Sequence, residues 1–337
     1  MGTPDFSVGV LEEIIRAGHE VVLAVTQPDF SVPTLEALIS SRHEVVGVVT
    51  QPDKPKGRGN AMQFPPVKEC ALSHGIEVFQ PKKIREDANV EYLKKFDADI
   101  FIVVAFGQIL TKNILDMPKY GCVNVHASLL PKYRGAAPIQ WAVINGDAIT
   151  GVTTMRMDTG IDTGDMIAKR EVRIAEDETG GSLFDKLAEE GAALLIRTIP
   201  SIVDGTMDML EKGTAQFTPQ NNDASTHTSK ITKELGNIDW KKPAVEIERL
   251  IRGLNPWPSA YTHLDDKAFK IWKARVVDEA NDYEPGCIVK ASKNELIVQT
   301  GDGQLALLEV QLAGKKRMDA GAFMRGYTVE EGTFFRQ

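Results

Sequence analysis

The sequence has few cysteines and no long apolar run, and these absences exclude several classes of protein. Cysteine occurs at Cys70, Cys122 and Cys287 only, an odd and widely spaced set. This argues against a disulfide framework and a cysteine-rich metal site, so a reducing cytoplasm is the expected compartment. The longest apolar runs, such as residues 100–106, are far shorter than the roughly 20 residues of a membrane-spanning helix, so no membrane partner is expected.

The sequence also lacks the glycine-rich loops that bind nucleotides. It contains neither a Walker loop nor a Gly-x-Gly-x-x-Gly run after a predicted strand, so a dinucleotide cofactor is not expected. No Gly-x-Ser-x-Gly elbow surrounds Ser128, and no acidic loop has the spacing of an EF-hand. We therefore predict neither a serine nucleophile nor a metal site.

An excess of positive charge is missing as well. The chain has 39 Lys and Arg residues against 47 Asp and Glu residues, a formal charge of −8. Nonspecific binding to nucleic acid depends on neutralising phosphates, so this charge disfavours such binding by the whole surface. The charge is uneven, because residues 226–337 hold 17 basic and 16 acidic residues (+1) while the rest of the chain has 22 and 31 (−9).

A repeat lies near the amino-terminal end. Residues 5–29 and 29–53 are identical at 16 of 25 positions, at an offset of 24. Each copy predicts a short helix followed by a buried strand, and the two strands cover residues 21–26 and 45–50. Two copies are too few for a solenoid, which needs about three repeats to bury a core, so we interpret the repeat as a local duplication.

Helical and strand patterns alternate after the repeat. The apolar run at residues 99–105 is typical of a strand covered on both faces, and residues 121–125 predict another strand. This alternation indicates a mostly parallel sheet that binds ligands at the carboxyl ends of its strands.

Short strands beyond Pro285 predict a small β-barrel or sandwich. The expected domains are a catalytic α/β domain at 1–212, a linker at 213–229 and a second domain at 230–337.

The densest cluster of reactive side chains follows the strand at residues 121–125. Asn124 and His126 are two residues apart, so both should face the same side of the strand and project into the mouth of the sheet. An Asn amide can donate a hydrogen bond to an oxyanion, and a His can take a proton from an amine or activate water. The alternative is that both side chains satisfy backbone groups of the loop.

A second polar cluster, at residues 157–165, carries Asp158, Asp162 and Asp165 among glycines. A solvated surface turn is one interpretation. A loop that brings one carboxylate to His126, to orient and polarise it, explains the joint presence of both clusters better.

Two basic clusters have the composition of a phosphate contact, although each could equally be a solvated turn. They contain Lys56 and Arg58 in one loop, and Lys315, Lys316 and Arg317 in another.

At these motifs the sequence resembles the methionyl-tRNA formyltransferase family over nearly its whole length. The segment from Asn124 to Pro131, with Arg134-Gly135-Ala-Ala-Pro after it, is similar to the formyl-transfer signature, and residues 158–165 are similar to its acidic partner. Formyltransferases acting on glycinamide ribonucleotide or on sugar nucleotides share these two motifs. More specific to the tRNA enzymes are the segments 51–59, 251–258 and 314–318.

The resemblance implies a Rossmann-like domain that binds 10-formyltetrahydrofolate and an OB-like barrel that helps to bind initiator methionyl-tRNA. The protein is expected to be a monomer. His126 would remove or relay the proton of the methionyl amine, Asn124 would stabilise the oxyanion, and Asp162 would orient His126. The basic clusters with Lys56, Arg58, Lys315, Lys316 and Arg317 would contact tRNA. The folate pocket would be lined by Phe106, Gly107, Ser128, Leu129, Leu130, Pro131, Asp158 and Gly160.

The start of the chain departs from the family pattern. A short strand precedes the Met-Gly-Thr-Pro-Asp motif in the family, whereas Met1 opens that motif here. We expect residues 21–26 to take the place of this strand, with residues 1–20 as an appendage. In the alternative, the first copy stays in the fold and the second loops out.

Three other functions remain open. The same signature would serve formylation of an amino-sugar nucleotide, which the basic clusters make less favourable. The same Asn, His and Asp could deliver water to formyltetrahydrofolate, as a hydrolase does. A non-catalytic RNA-binding protein would depend on the carboxy-terminal barrel, whose charge is too near neutral for tight binding alone.

Overall fold

A computed structural model describes residues 20–25, 31–41, 43–56, 61–204, 217–277 and 282–336. It divides into two compact units. The first comprises the described residues up to Gly135, Gly151–Val172 and Asp185–His227. The second comprises Ala136–Thr150, Arg173–Phe184 and the described residues from Thr228 onward. Among the described helices, none has the length and apolar composition needed to cross a membrane.

The elements up to residue 204 alternate between strands and helices, as predicted. In chain order they are β1 (Glu20–Val25), α1 (Val32–Ser40), β2 (Glu44–Val49), β3 (Lys54–Lys56), β4 (Ala61–Gln63), α2 (Pro66–Ser73), β5 (Val78–Phe79), α3 (Asp87–Leu93), β6 (Ile100–Val104), α4 (Lys112–Leu115), β7 (Cys122–His126), β8 (Arg134–Gly135), α5 (Pro138–Ile144), β9 (Ile149–Arg156), β10 (Met166–Arg173) and α6 (Gly180–Asp204).

The central sheet has the strand order β10-β9-β7-β6-β1-β2-β5. Strands β7, β6, β1, β2 and β5 are parallel, as predicted, but β9 pairs antiparallel with β7, so the sheet is mixed. Strands β9 and β10 were not predicted from the sequence. Strand β9 is buried at every position from Thr150 to Met155, yet its glycine and its threonines do not form the apolar run of a buried strand.

The repeat contributes two neighbouring strands. Strand β1, from the first copy, lies between β6 and β2, and β2 comes from the second copy. The expectation that the first copy supplies a strand of the central sheet is therefore confirmed for residues 20–25. The remainder of that expectation, including residues 1–19 and Thr26, lies outside the described residues.

Strands β6 and β7 position the polar loops. All five residues of each strand are buried, because each strand has neighbours on both sides and the sheet is covered on both faces. The two strands run in register, with Val104 beside Val125 at their carboxyl ends. The loops that begin at Ala105 and at Ala127 consequently leave the sheet at the same edge.

The second unit is built on an antiparallel sheet packed against a helix. Besides α5, which lies in Ala136–Thr150, the described helices and strands after residue 226 are β11 (His227–Thr228), α7 (Ala244–Gly253), β12 (Ala260–Leu264), β13 (Lys267–Val277), β14 (Ile288–Ala291), β15 (Leu296–Gln299), β16 (Gln304–Leu312), β17 (Met318–Asp319) and α8 (Ala320–Gly326). The strand order is β12-β13-β16-β15-β14, and β17 pairs with β16.

The carboxy-terminal sheet begins earlier in the chain than predicted, because β12 and β13 precede Pro285. Phe269 and Ile271 of β13 are fully buried in a core that includes Val310 of β16. The tail connects the two edge regions of this sheet: Arg336 pairs with His263 in β12, and Phe334 pairs with Cys287 next to β14. This arrangement is consistent with the expected OB-like barrel.

Residues 217–227, from the segment predicted as a linker, are part of the first unit. Thr218 pairs with Met166 at the start of β10. The side chain of Gln220 is buried, and the carbonyl oxygen of Thr226 accepts a hydrogen bond from the backbone N–H of Arg134 at 2.8 Å. This segment therefore belongs to the surroundings of the polar loops.

Candidate active site

Strand β7 carries Asn124 and His126 to the carboxyl edge of the sheet. The two residues are 8 % and 7 % exposed, respectively. Their spacing of two places both side chains on one face, as predicted, and both reach the same carboxylate, that of Asp162. The structure thus brings together the three residues expected to be catalytic.

The carboxylate of Asp162 lies among three groups. Its Oδ2 accepts a hydrogen bond from the backbone N–H of Gly135 at 2.9 Å and lies 3.7 Å from Nδ1 of His126. Its Oδ1 accepts a long hydrogen bond, 3.4 Å, from Nδ2 of Asn124. Asp162 has a φ of +53°, a left-handed conformation that is unfavourable for a residue with a Cβ and that must be stabilised by its surroundings.

The imidazole of His126 is oriented by a backbone carbonyl. Its Nε2 lies 2.9 Å from the carbonyl oxygen of Tyr133. Since a carbonyl can only accept, Nε2 carries a hydrogen there. In the neutral ring Nδ1 then has a lone pair directed to the side where Asp162 lies, and a proton gained at Nδ1 would face a carboxylate.

The loop after β7 is fixed by internal hydrogen bonds. The hydroxyl of Ser128 donates to the carbonyl of Lys132 at 2.6 Å, and the Ser128 carbonyl accepts from the hydroxyl of Thr153 at 2.6 Å. Lys169 donates to the carbonyl of Leu130 at 2.5 Å, and burial lowers the pKa of this lysine. The Ser128 hydroxyl is thereby committed to the backbone, in agreement with the absence of a serine elbow.

The residues expected to line the folate pocket differ in exposure. Gly107 is exposed, and nothing lies within 4 Å of the position that a Cβ would take on it. Phe106 is half-buried and packs against the core beside β6. Leu129 and Pro131 are also partly exposed, whereas Leu130 is fully buried in a cluster with Met155.

The acidic loop is folded around Asp158. One oxygen of its carboxylate accepts hydrogen bonds from the N–H of Gly160 at 3.0 Å and from the hydroxyl of Thr163 at 2.7 Å. Asp158 and Gly160 are exposed, whereas Asp162 in the same loop is half-buried and turns toward β7. Asp165 is exposed and contributes its carbonyl to the N–H of Arg156. Within the described residues, no group of His, Cys, Asp and Glu side chains could hold a metal ion.

Two residues of the site were not identified from the sequence as functional candidates. Arg134 is 3 % exposed, and its Nε donates to Oε1 of Gln220 at 2.9 Å. Nε2 of Gln220 in turn donates to the carbonyl oxygens of Asp162 and Gly164, at 2.8 and 2.7 Å. Gln220 carries no signal in the sequence, because its polar neighbours have the composition of a solvated linker.

The described basic residues expected to bind tRNA lie on two hairpins. Lys56 ends β3, which pairs antiparallel with β4, and Arg58 lies outside the described residues. The hairpin base is anchored by Lys68, whose Nζ donates to both carboxylate oxygens of Asp53 at 3.0 and 2.7 Å and to Oε1 of Gln80 at 2.8 Å. Hydrogen bonds from Gln80 and Lys68 hold the pKa of Asp53 below its usual value.

The cluster at Lys315, Lys316 and Arg317 is exposed and precedes β17. The guanidinium of Arg317 is paired with the carboxylate of Glu309, with two contacts of 2.5 Å. It also lies 4.6 Å from the centre of the Trp272 ring. Arg317 is therefore a less mobile cation than its two lysine neighbours.

Comparison with known proteins shows matches over both parts of the chain. The family model described as "Formyl transferase" matches residues 19–199, and that of the "Formyl transferase, C-terminal domain" matches residues 230–328. The methionyl-tRNA formyltransferase of Agathobacter rectalis is 72% identical over 335 residues, covering 99% of this chain and 98% of that protein. The enzyme of the same name from Lachnospira eligens is 50% identical, with 98% and 97% covered.

Solved structures of lower identity share the fold. An N-formyltransferase from Helicobacter canadensis, in complex with folinic acid and dTDP-3-aminofucose, is 20% identical with a TM-score of 0.60, and covers 85% of this chain and 98% of its own. A sugar 3N-formyl transferase is also 20% identical with a TM-score of 0.61, and the coverage is 89% and 99%. By its matches to both family models and by its identity to full-length relatives, this chain belongs to the formyltransferase family.

Proposed function

We propose that this chain transfers the formyl group of 10-formyltetrahydrofolate to the amino group of methionyl-initiator tRNA, at the start of translation. The observation that carries the proposal is the meeting of three side chains at one edge of the sheet: the Asp162 carboxylate lies 3.4 Å from the Asn124 amide and 3.7 Å from the His126 ring. Relatives of 72% and 50% identity that bear the name methionyl-tRNA formyltransferase support the choice of substrate.

His126 is the proton acceptor in this proposal, through Nδ1. The hydrogen bond from Nε2 to the Tyr133 carbonyl fixes the ring and leaves Nδ1 to accept a proton. When Nδ1 takes the proton of the attacking amine, the ring becomes positive beside the carboxylate of Asp162. That carboxylate stabilises the charge and keeps its own orientation through the N–H of Gly135.

Asn124 supplies a donor for the charge that develops on the formyl oxygen. One N–H of its amide is directed to Asp162 at 3.4 Å, and an amide has a second N–H to offer. A donor that is held in place before the reaction stabilises an oxyanion without reorganisation, and such donors contribute about 3–4 kcal/mol in other acyl-transfer enzymes.

The reaction balances with these groups alone. The folate supplies a formyl group bound to its N10 nitrogen. The methionyl nitrogen forms a bond to the formyl carbon as the carbon–N10 bond breaks, and the proton lost by the methionyl amine passes through His126 to N10. The transfer changes no oxidation state, so it needs neither an oxidant nor a reductant.

Open space at Gly107 and closeness in sequence to the catalytic residues support a folate site in the loops at the sheet edge. Gly107 is exposed with open space above it, and the segments 128–131 and 158–160 lie beside the catalytic residues in sequence. We propose that Phe106, Gly107, Leu129, Pro131, Asp158 and Gly160 contact the folate. Ser128 and Leu130 are both fully buried and support the loop from below, and the hydroxyl of Ser128 is bonded to the backbone.

For the tRNA we propose contacts from Lys56 at the end of β3, from Arg58, and from Lys315, Lys316 and Arg317 just before β17. Lysine and arginine on exposed loops contact phosphates without reading sequence, which explains how a chain of charge −8 can bind one RNA. We further propose that the enzyme acts as a monomer in the cytoplasm, where aminoacylated tRNA is available.

A single set of incubations distinguishes this function from its rivals. The chain is mixed with 10-formyltetrahydrofolate and with methionyl-tRNA, uncharged tRNA, an amino-sugar nucleotide or no acceptor, and both folate turnover and the formylated product are measured. Product with methionyl-tRNA supports the proposal. Folate turnover without acceptor would indicate a hydrolase, product with the sugar nucleotide alone a sugar formyltransferase, and no turnover at all an RNA-binding protein.

A further inference from the structure

A buried glutamine connects the segment at residues 217–227 to the candidate active site. Gln220 is 9 % exposed, and its amide lies between the loop after β7 and the acidic loop. The amide oxygen and both amide hydrogens have partners within 2.9 Å. A side chain that is buried and bonded in this way fixes the relative positions of its partners.

The nitrogen of Gln220 holds the backbone at and after the catalytic carboxylate. Nε2 has two hydrogens, and these donate to the carbonyl oxygens of Asp162 at 2.8 Å and Gly164 at 2.7 Å. The Asp162 carbonyl belongs to a residue with a φ of +53°. The hydrogen bond from Gln220 therefore holds the peptide group that follows Asp162, whose orientation depends on the left-handed conformation of this residue.

Arg134 binds the amide oxygen of Gln220, and the next residue, Gly135, binds the carboxylate of Asp162. Nε of Arg134 donates to Oε1 at 2.9 Å, and its Nη2 donates to Oδ1 of Asn222 at 2.9 Å. The following residue, Gly135, donates its N–H to the Asp162 carboxylate. Gln220 thus links the backbone of Asp162 to the segment that binds its side chain.

We propose that Gln220 is a positioning residue of the formyl-transfer site, which keeps the Asp162 carboxylate in place beside His126. This proposal rests on the proposed function and adds to it a residue that acts through Asp162 and not on the substrates. The segment expected to be a plain linker is then a working part of the catalytic unit.

The chemistry of the amide makes the proposal specific. A glutamate at position 220 has the same shape, and one of its oxygens can still accept a hydrogen bond from Arg134. Its second oxygen, however, faces the carbonyl oxygens of Asp162 and Gly164. These oxygens can only accept hydrogen bonds, so they need a donor at that position. A methionine has similar length and neither donates nor accepts strongly. Gln220→Glu and Gln220→Met therefore disturb the same contacts in two different ways.

The matched control is Gln299, a second buried glutamine. It is 5 % exposed in β15, and its Nε2 donates to the carbonyl oxygens of Thr300 at 3.1 Å and Gly303 at 3.2 Å, while its Oε1 accepts from Gln304. Gln299→Met removes an equivalent set of hydrogen bonds within the second unit. We expect both methionine variants to lower the melting temperature, and only the Gln220 variants to slow formyl transfer.

The experiment measures kcat and KM for both substrates together with thermal melting. Gln220→Met and Gln220→Glu should lower kcat by about 10- to 100-fold, as small misplacements of catalytic groups do, and leave both KM values within about twofold. In an Asp162→Asn background, Gln220→Met should cause no further loss of kcat, because its effect is transmitted through the carboxylate. Wild-type kcat in Gln220→Met, or losses that multiply in the double variant, would overturn the positioning role.

A second measurement does not need turnover. The imidazole ¹⁵N resonances of His126 should shift in Gln220→Glu relative to the wild type and to Gln299→Met, and unchanged resonances would overturn the proposal. Lack of formylation by the wild-type chain with methionyl-tRNA would refute the proposed function instead, so the two failures are distinguishable.

Discussion

Nδ1 of His126 and Oδ2 of Asp162 are 3.7 Å apart, beyond the range of a hydrogen bond. The other ring nitrogen, Nε2, lies 2.9 Å from the Tyr133 carbonyl oxygen, and Oδ2 accepts a hydrogen bond from the N–H of Gly135. The pair is thus arranged to become a tight ion pair when Nδ1 gains a proton. In the proposed mechanism, this geometry lets the carboxylate stabilise the imidazolium that forms during proton transfer.

The catalytic assignment predicts large losses of rate. His126→Ala and Asp162→Asn should each lower kcat at least about 100-fold, within the range of general acid–base catalysis. Steady-state formylation of methionyl-tRNA measures this directly, with His74→Ala as the control because His74 is exposed on the surface. Near-normal rates in either variant would refute the assigned roles.

Lys68, at the base of the hairpin formed by β3 and β4, predicts a selective effect on the KM for methionyl-tRNA. Lys68→Met removes the donors that hold Asp53 and Gln80, so β3 and β4 lose their fixed base. KM for methionyl-tRNA should rise by roughly three- to tenfold, which corresponds to about 1 kcal/mol, the net contribution of a typical hydrogen bond, while KM for folate is unchanged. The control is Lys112→Met, since Lys112 forms an exposed pair with Asp116. A rise in the folate KM would contradict this interpretation.

The second basic cluster predicts a change in salt dependence. Replacing both Lys315 and Lys316 by alanine should weaken tRNA binding, and the slope of log affinity against log salt should fall by about one for each phosphate that the variant no longer neutralises. Binding measured at several salt concentrations provides the slope, and Lys94→Ala serves as the control. An unchanged slope would mean that neither lysine lies on the tRNA.

The buried thiol of Cys122 predicts a loss of stability at high pH. Burial raises its pKa from 9.0 to about 12, so the folded chain keeps the proton that the unfolded chain releases. The free energy of unfolding should therefore fall as pH rises above 9, by about 1.4 kcal/mol per pH unit from this group, and the full contribution is present below pH 9. Chemical denaturation at about pH 9.5 and 10.5 should show a smaller slope for Cys122→Ala; equal slopes would contradict the burial effect.

The repeat predicts an unequal tolerance of two deletions. The family match begins at residue 19 and β1 begins at Glu20, so a chain lacking residues 2–18 should keep kcat within about twofold. Deletion of residues 29–52 removes α1 and β2 and should abolish both folding and activity. Circular dichroism and the formylation rate test both variants, and inactivity of the first would show that the initial residues are required.

The parts that the sequence predicts well are those whose signal is local. Strands β6 and β7 are short runs of mostly apolar residues, and the spacing of Asn124 and His126 alone places them on one face. The second polar cluster predicted that a carboxylate would reach His126, but only the resemblance to the formyltransferase family singled out Asp162 among its three aspartates. A short-range pattern of residue types therefore predicts the strands and their shared face, and not which carboxylate is the partner.

The parts that the sequence does not predict depend on distant contacts. Strand β9 is buried despite its threonines because it pairs with β7 and packs against α6, where the hydroxyls of Thr154 and Thr198 lie 3.2 Å apart. Gln220 is buried because its amide joins Arg134, 86 residues earlier, to the acidic loop. The composition around Gln220 is the same as that of a solvated linker, and only the folded chain distinguishes the two.

The pairing of β1 with β2 joins the two copies of the repeat at equivalent positions. Glu20 lies beside Glu44 and Val21 beside Val45, which is the repeat offset of 24, before a bulge shifts the register. A duplication in sequence has thus become adjacency in space. The same segment of sequence, present twice, therefore supplies two adjacent parallel strands of one sheet, and the first of them stands where a different strand is expected in the family.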